Sequence, residues 1–107
     1  MAEDSADAVL GATERLVTQL LERNGVASHD IVSVFFTATP DLRSAFPAEA
    51  ARRIGLGKVP LLCAQEIAVT GAMERVVRIL MHFQTSLAQS EVANVYLDGA
   101  ESLRDDL

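Results

Sequence analysis

The chain has 107 residues, half of them hydrophobic, which is the size of one domain (residues 1–107) with its own core but much surface left in water, so self-association is expected. Its formal net charge of −6, with no basic cluster, excludes nucleic acid as a partner, because that contact rests on Lys and Arg facing phosphates. No stretch approaches the roughly 20 apolar residues that span a bilayer, the Met1-Ala2-Glu3-Asp4 start has the wrong charge for a secretory signal, and the lone cysteine allows neither an intrachain disulfide nor a thiolate cluster, so a reducing cytoplasm is the expected setting.

The first predicted element is a helix. Asp4 or Ser5 caps it, and Val9, Thr13, Leu16, Val17, Leu20 and Leu21 recur at three- and four-residue spacing up to about Arg23, giving one apolar stripe. Asn24-Gly25 ends it, glycine suiting the left-handed position that closes many helices. After the turn formers Ala27 to Asp30, the β-branched and aromatic run Ile31 to Ala38 predicts a strand covered on both faces. His29 reads as a solvated turn residue, since no second His or Cys stands near it at metal-ligand spacing. Thr39-Pro40 stops the strand, because proline donates nothing to a ladder, and opens a short turn with a helix-start signature. Phe46-Pro47 repeats that punctuation before an alanine-rich helix, Ala48 to Ile54, closed by Gly55-Leu56-Gly57. Arg52 and Arg53 fall in its last turn, where they complement the carbonyl end of the dipole and where one of them is also placed to reach an anion across a cleft.

Val59 to Leu62 predicts a short strand that tolerates Pro60 only at an edge or start. Cys63 ends it, and Glu66 follows inside an otherwise uncharged segment. Beyond Thr70-Gly71, the run Val76 to Phe83 predicts another strand, with Val77, Ile79, Met81 and Phe83 on one face and Val76, Arg78, Leu80 and His82 on the other. A guanidinium in such an apolar run is costly unless paired and hydrogen-bonded. Either Glu66 neutralises Arg78 or an anionic ligand does. His82 reads as a hydrogen-bonded sheet residue. A polar loop through Ala88 to Glu91 leads to a last short strand, Val95-Tyr96-Leu97, in which Tyr96 is by default a packing residue whose hydroxyl finds a nearby acceptor. From Asp98 to Leu107 the periodicity is too weak to assign an element, although Leu103-Arg104 is placed to fold back as a flap.

There is no G-x-S-x-G elbow, Walker loop, dinucleotide fingerprint or His/Cys metal set. Cys63 and His82 lack a third group to orient them, and a lone cysteine at the end of an apolar strand is usually inert packing. The residues by themselves give an α+β domain in which several arginines and one acid line a site for a small anion.

The order and spacing of TATPDLRSAFP (Thr37 to Pro47), Val59-Pro60, CAQE (Cys63 to Glu66), VTG (Val69 to Gly71), Arg78 with the following ILMHFQT, VYL (Val95 to Leu97) and LRDDL (Leu103 to Leu107) resemble the monofunctional, trimeric chorismate mutases of the αβ-barrel type. The resemblance implies a mixed β-sheet with helices packed on one face, closing into a pseudo αβ-barrel as a homotrimer with sites at the subunit interfaces. It also implies a Claisen rearrangement of chorismate to prephenate, a unimolecular step in aromatic amino-acid biosynthesis that uses no metal or cofactor. Carried over by position, Arg78 meets the ether oxygen and a carboxylate of this small dianionic substrate, and Glu66 and Cys63 meet the ring hydroxyl and the charge on the ring. Tyr96 donates to a carboxylate, Arg52 steers the anion at the mouth, Phe46 and Ala48 shape an apolar wall, and Leu103 and Arg104 close as a tail.

Two departures stand out. The family begins with a strand carrying an arginine, whereas Met1 to Asp4 here runs straight into the first helix, and Glu49 stands near the entrance where a lysine is frequent. Both imply weakened turnover, and they leave a second expectation beside the enzyme, a non-catalytic trimeric binder of a small carboxylate from the same family.

Overall fold

The first helix, α1 (Ala6–Asn24), is fixed by both of its ends. Ser5, in extended backbone, accepts the Ala8 N–H at 3.1 Å, and Gly25 closes the helix at φ 62°, a left-handed conformation costly for any residue with a Cβ. Val9, Leu10, Thr13 and Val17 form its buried stripe, and Thr13 sits fully enclosed because its hydroxyl donates to the Val9 carbonyl at 2.6 Å. The computed structural model describes residues 1–97, so the expected flap at Leu103 and Arg104 lies outside the described residues.

Three strands follow, β1 (Ile31–Ala38), β2 (Leu61–Gln65) and β3 (Val77–Phe83), with α2 (Pro47–Arg53) between the first two. The sheet order is β2-β1-β3; β2 runs parallel to β1 and β3 antiparallel, giving the expected mixed sheet. Ile31 pairs with Phe83 but Ser33 with His82, so Val32 is an extra residue on β1. This bulge resets the alternation, and Ile31, Val34 and Phe36 all turn toward the helices. There they meet Val17 of α1 and Ala48 and Ala51 of α2, whose small side chains let the helix backbone come close, with Leu56 completing the core.

Both helices pack on that one face, as the resemblance implies. The expectation that β1 is covered on both faces is corrected: Leu62, Phe35 and Leu80 lie in register across the opposite face, 56%, 38% and 59% exposed. The β3 alternation is as predicted from Val77 to Phe83, with Arg78, Leu80 and His82 on the open face, whereas Val76, expected on that face too, precedes the strand and is buried.

Other boundaries move for identifiable reasons. Pro60 precedes β2 and contributes only its carbonyl, which accepts the Val34 N–H at 3.0 Å, so the strand lies beyond it and Cys63 is in its middle rather than at its end. Thr39-Pro40 starts a turn and no helix, because Leu42 N–H returns to the Thr39 carbonyl at 3.0 Å. Val95 to Leu97 is irregular rather than a strand, with no ladder partner among the described residues. No helix among the described residues is long and apolar enough to cross a membrane.

Candidate active site

On the open face Thr37 is the middle residue of a cross-strand row, paired with Ala64 of β2 and Arg78 of β3. Glu66 lies just beyond β2, its N–H still held by the Ala38 carbonyl at 2.9 Å, and its side chain reaches across the small Ala64 position toward the row. Arg78 donates to it twice, from Nε to Oε2 at 2.8 Å and from a terminal nitrogen to Oε1 at 2.5 Å. Thr37 Oγ1 donates to the same Oε2 at 2.6 Å. Of the two partners that the sequence allows for Arg78, the protein itself therefore supplies Glu66.

The Glu66 side chain is 14% exposed and that of Arg78 42%, so the carboxylate is sheltered while the cation is only partly covered. The Arg78 hydrogen bonds hold the Glu66 carboxyl below its ordinary range against the opposing pull of burial, with the Thr37 hydroxyl and the Arg78 charge adding to the effect. Beside this group, Asp41 accepts the Thr39 hydroxyl at 2.5 Å and the Arg75 N–H at 3.0 and 3.2 Å, and these bonds lower its titration too. They also hold Arg75 at φ 53°, fixing the turn that leads into β3.

Both carboxylates titrate lower in the folded chain than in the unfolded one, so their stabilisation is complete above the unfolded carboxylate range and fades as pH falls through the depressed values. Melting temperature is expected to hold steady above about pH 5 and to drop in acid. Glu66→Gln should flatten part of that drop; an acid profile identical to that of the parent would show that the ion pair carries no linkage.

Arg78 borders two clefts. One, of about 800 Å³, also takes in Thr37, Glu66, Gln65 and Thr70. The other, of about 370 Å³, lies between α1 and β3 and takes in Leu16, Val77 and Tyr96. Tyr96 therefore shares the α1–β3 cleft with Arg78, on the helix side of the sheet, and the residue that sets its segment, Asn24, is one that sequence reasoning read only as the end of a helix. Asn24, 9% exposed, accepts the Ala93 N–H at 2.8 Å and donates to the Ala93 carbonyl at 3.0 Å, clamping the chain three residues before Tyr96. Asn24→Ala is expected to cost about 2 kcal/mol of stability and to lower turnover, both readable by thermal melts and kinetics.

The other predicted residues stand apart. Cys63 pairs with the enclosed Phe36 and packs against the core, so its thiol faces away from the Glu66–Arg78 pair. Pro60 O and Glu66 N bond to β1, which leaves the alternate residues, Cys63 among them, with backbone N–H and C=O directed to the outer edge of β2. Ala48 is 3% exposed in the core and forms no wall in this chain, whereas Phe46 is 75% exposed. Arg52 is ion-paired with Glu49 at 3.1 Å on the outside of α2, and none of Phe46, Ala48 and Arg52 borders either cleft.

The family profile described as "Chorismate mutase type I" matches residues 1–107. The chain belongs to the type I chorismate mutase family. Among its relatives, "Chorismate mutase AroH" of Thermus thermophilus is 48% identical over 106 residues, covering 98% of this chain and 87% of that protein. "Chorismate mutase AroH" of Bacillus subtilis (strain 168) is 37% identical over 105 residues, covering 97% and 83%. The solved structure "Chorismate mutase from Clostridium thermocellum Cth-682" superposes with a TM-score of 0.92 at 39% identity, covering 94% of this chain and 89% of that one. Chorismate mutase activity, the conversion of chorismate to prephenate, accounts for a site that joins a guanidinium to a carboxylate.

Proposed function

We propose that chorismate is rearranged against Arg78, with the residues around it in distinct roles. The step is unimolecular, so the protein accelerates it by holding the dianion in its compact reactive conformer and by meeting the charge that develops on the breaking ether oxygen. The Arg78 guanidinium takes the ether oxygen and a substrate carboxylate, which compete with Glu66 for its fork of donors. Glu66 then faces the ring hydroxyl and the partial positive charge of the ring fragment. Cys63 serves through the main-chain N–H on the outer edge of β2 rather than through its thiol. Tyr96 donates its hydroxyl to a carboxylate.

Phe46, Ala48 and Arg52 act in this scheme from a neighbouring copy. What supports the sharing is twofold: these residues do not border the Arg78 clefts of their own chain, and the row Leu62–Phe35–Leu80 leaves an apolar band in water on the face that carries Arg78. A homotrimer in the cytoplasm is the assembly we infer. Glu49 ties down Arg52 and sets a negative charge beside it, which weakens its pull on the incoming anion.

The observation that carries the reading is the partly exposed guanidinium of Arg78, paired with a Glu66 carboxylate that Thr37 also holds, at the border of two clefts. Its test is the ultraviolet loss of chorismate with purified protein. Turnover that Glu66→Gln leaves untouched would overturn the assignment of roles.

A further inference from the structure

We infer that Thr37 is a positioning residue of this site, acting on chorismate through Glu66; the inference rests on Glu66 and Arg78 forming the reacting centre. Thr37 sits half-buried on the central strand, between Ala64 and Arg78 in register, so the strand that carries it is held on both sides. Its β-branched side chain has few rotamers, and the hydroxyl is delivered to Glu66 Oε2 at 2.6 Å from a fixed direction. Glu66 is the opposite case, a long side chain rooted just past the end of an edge strand. Without a second anchor its carboxylate follows whatever Arg78 does.

That distinction matters once substrate arrives. Arg78 Nε and Thr37 Oγ1 both donate to Oε2, while a terminal Arg78 nitrogen donates to Oε1. When an anionic ligand draws the guanidinium, the Arg78 bonds to Glu66 stretch or break, and the Thr37 bond keeps the carboxylate in place and ionised. The hydroxyl is among the contacts that lower the Glu66 titration, which agrees with this geometry. Ala64, with its single methyl, leaves the path from Glu66 to Thr37 open across the sheet.

The test uses the intact protein. Thr37→Val keeps shape and strand preference while removing the hydroxyl, and is expected to lower kcat roughly tenfold with KM changed much less. The acid limb of the rate profile, set by protonation of Glu66, should move to higher pH, and Thr37→Ser should restore both rate and limb. In the Glu66→Gln background the same substitution should add nothing, because the group it serves is already altered. A Thr37→Val enzyme with the parent's kcat and pH profile overturns the inference. So does a rate loss that Ser fails to rescue, or one that adds in full on top of Glu66→Gln. Parental activity in Glu66→Gln alone sinks instead the reading of the site on which the inference rests.

Discussion

Arg78→Ala is expected to lower kcat/KM for chorismate by about a thousandfold, the scale seen when a preorganised donor to a developing oxyanion is removed. The effect on stability should be far smaller. Arg78 is 42% exposed and solvent screens part of its pairing, so the orphaned Glu66, still held by Thr37, costs about 1 kcal/mol. Arg78→Lys should recover little, because an ammonium cannot donate in parallel to two oxygens as the fork now does to Oε1 and Oε2. Steady-state kinetics beside thermal melts separate the two quantities. A variant that keeps turnover within tenfold of the parent would remove Arg78 from the chemistry.

Leu80→Asp is the second large expected effect. Leu80 is 59% exposed in the single chain and stands in register with Phe35, with Leu62 on the other side of Phe35. If this row is where copies meet, each copy would have to bury a carboxylate among apolar side chains, at a cost on the order of several kcal/mol. The substitution leaves the helix-covered core untouched, so the folded monomer should survive while the assembly and the activity are lost together. Light scattering and a chorismate assay on the same sample read both. An active oligomer of unchanged mass would place the interface on another surface.

Much of this architecture is legible in the chain because two-residue and helical periods are strong signals. Val77, Ile79, Met81 and Phe83 against Arg78, Leu80 and His82 give the β3 faces correctly from alternation alone. The same rule says nothing of the bulge at Val32, since an extra residue leaves no mark on composition, yet that bulge turns Phe35 and Thr37 to the open face. Cys63 shows a related limit: sequence places it in the right stretch, but only the pairing with Phe36 reveals that the thiol faces the core. The Glu66–Arg78 partnership was accessible from charge balance, one acid and one base each set among apolar residues. Thr37 and Asn24 were not, because a hydroxyl in a strand and an amide at a helix end have ordinary local explanations. Their service to Glu66 and to the Ala93 segment exists only in three dimensions. Val95 to Leu97 has strand-like composition but needs a neighbour to pair with, which local sequence does not supply.

The measurement that bears most directly on the central claim is a crystal structure with a bicyclic mimic of the rearranging dianion. The account predicts the mimic against the Arg78 guanidinium, with its ether oxygen and one carboxylate in reach, Glu66 still bonded to Thr37, and a second wall contributed by Phe46 and Arg52 of another copy. A mimic seated away from Arg78, or wholly enclosed by one chain, would contradict it.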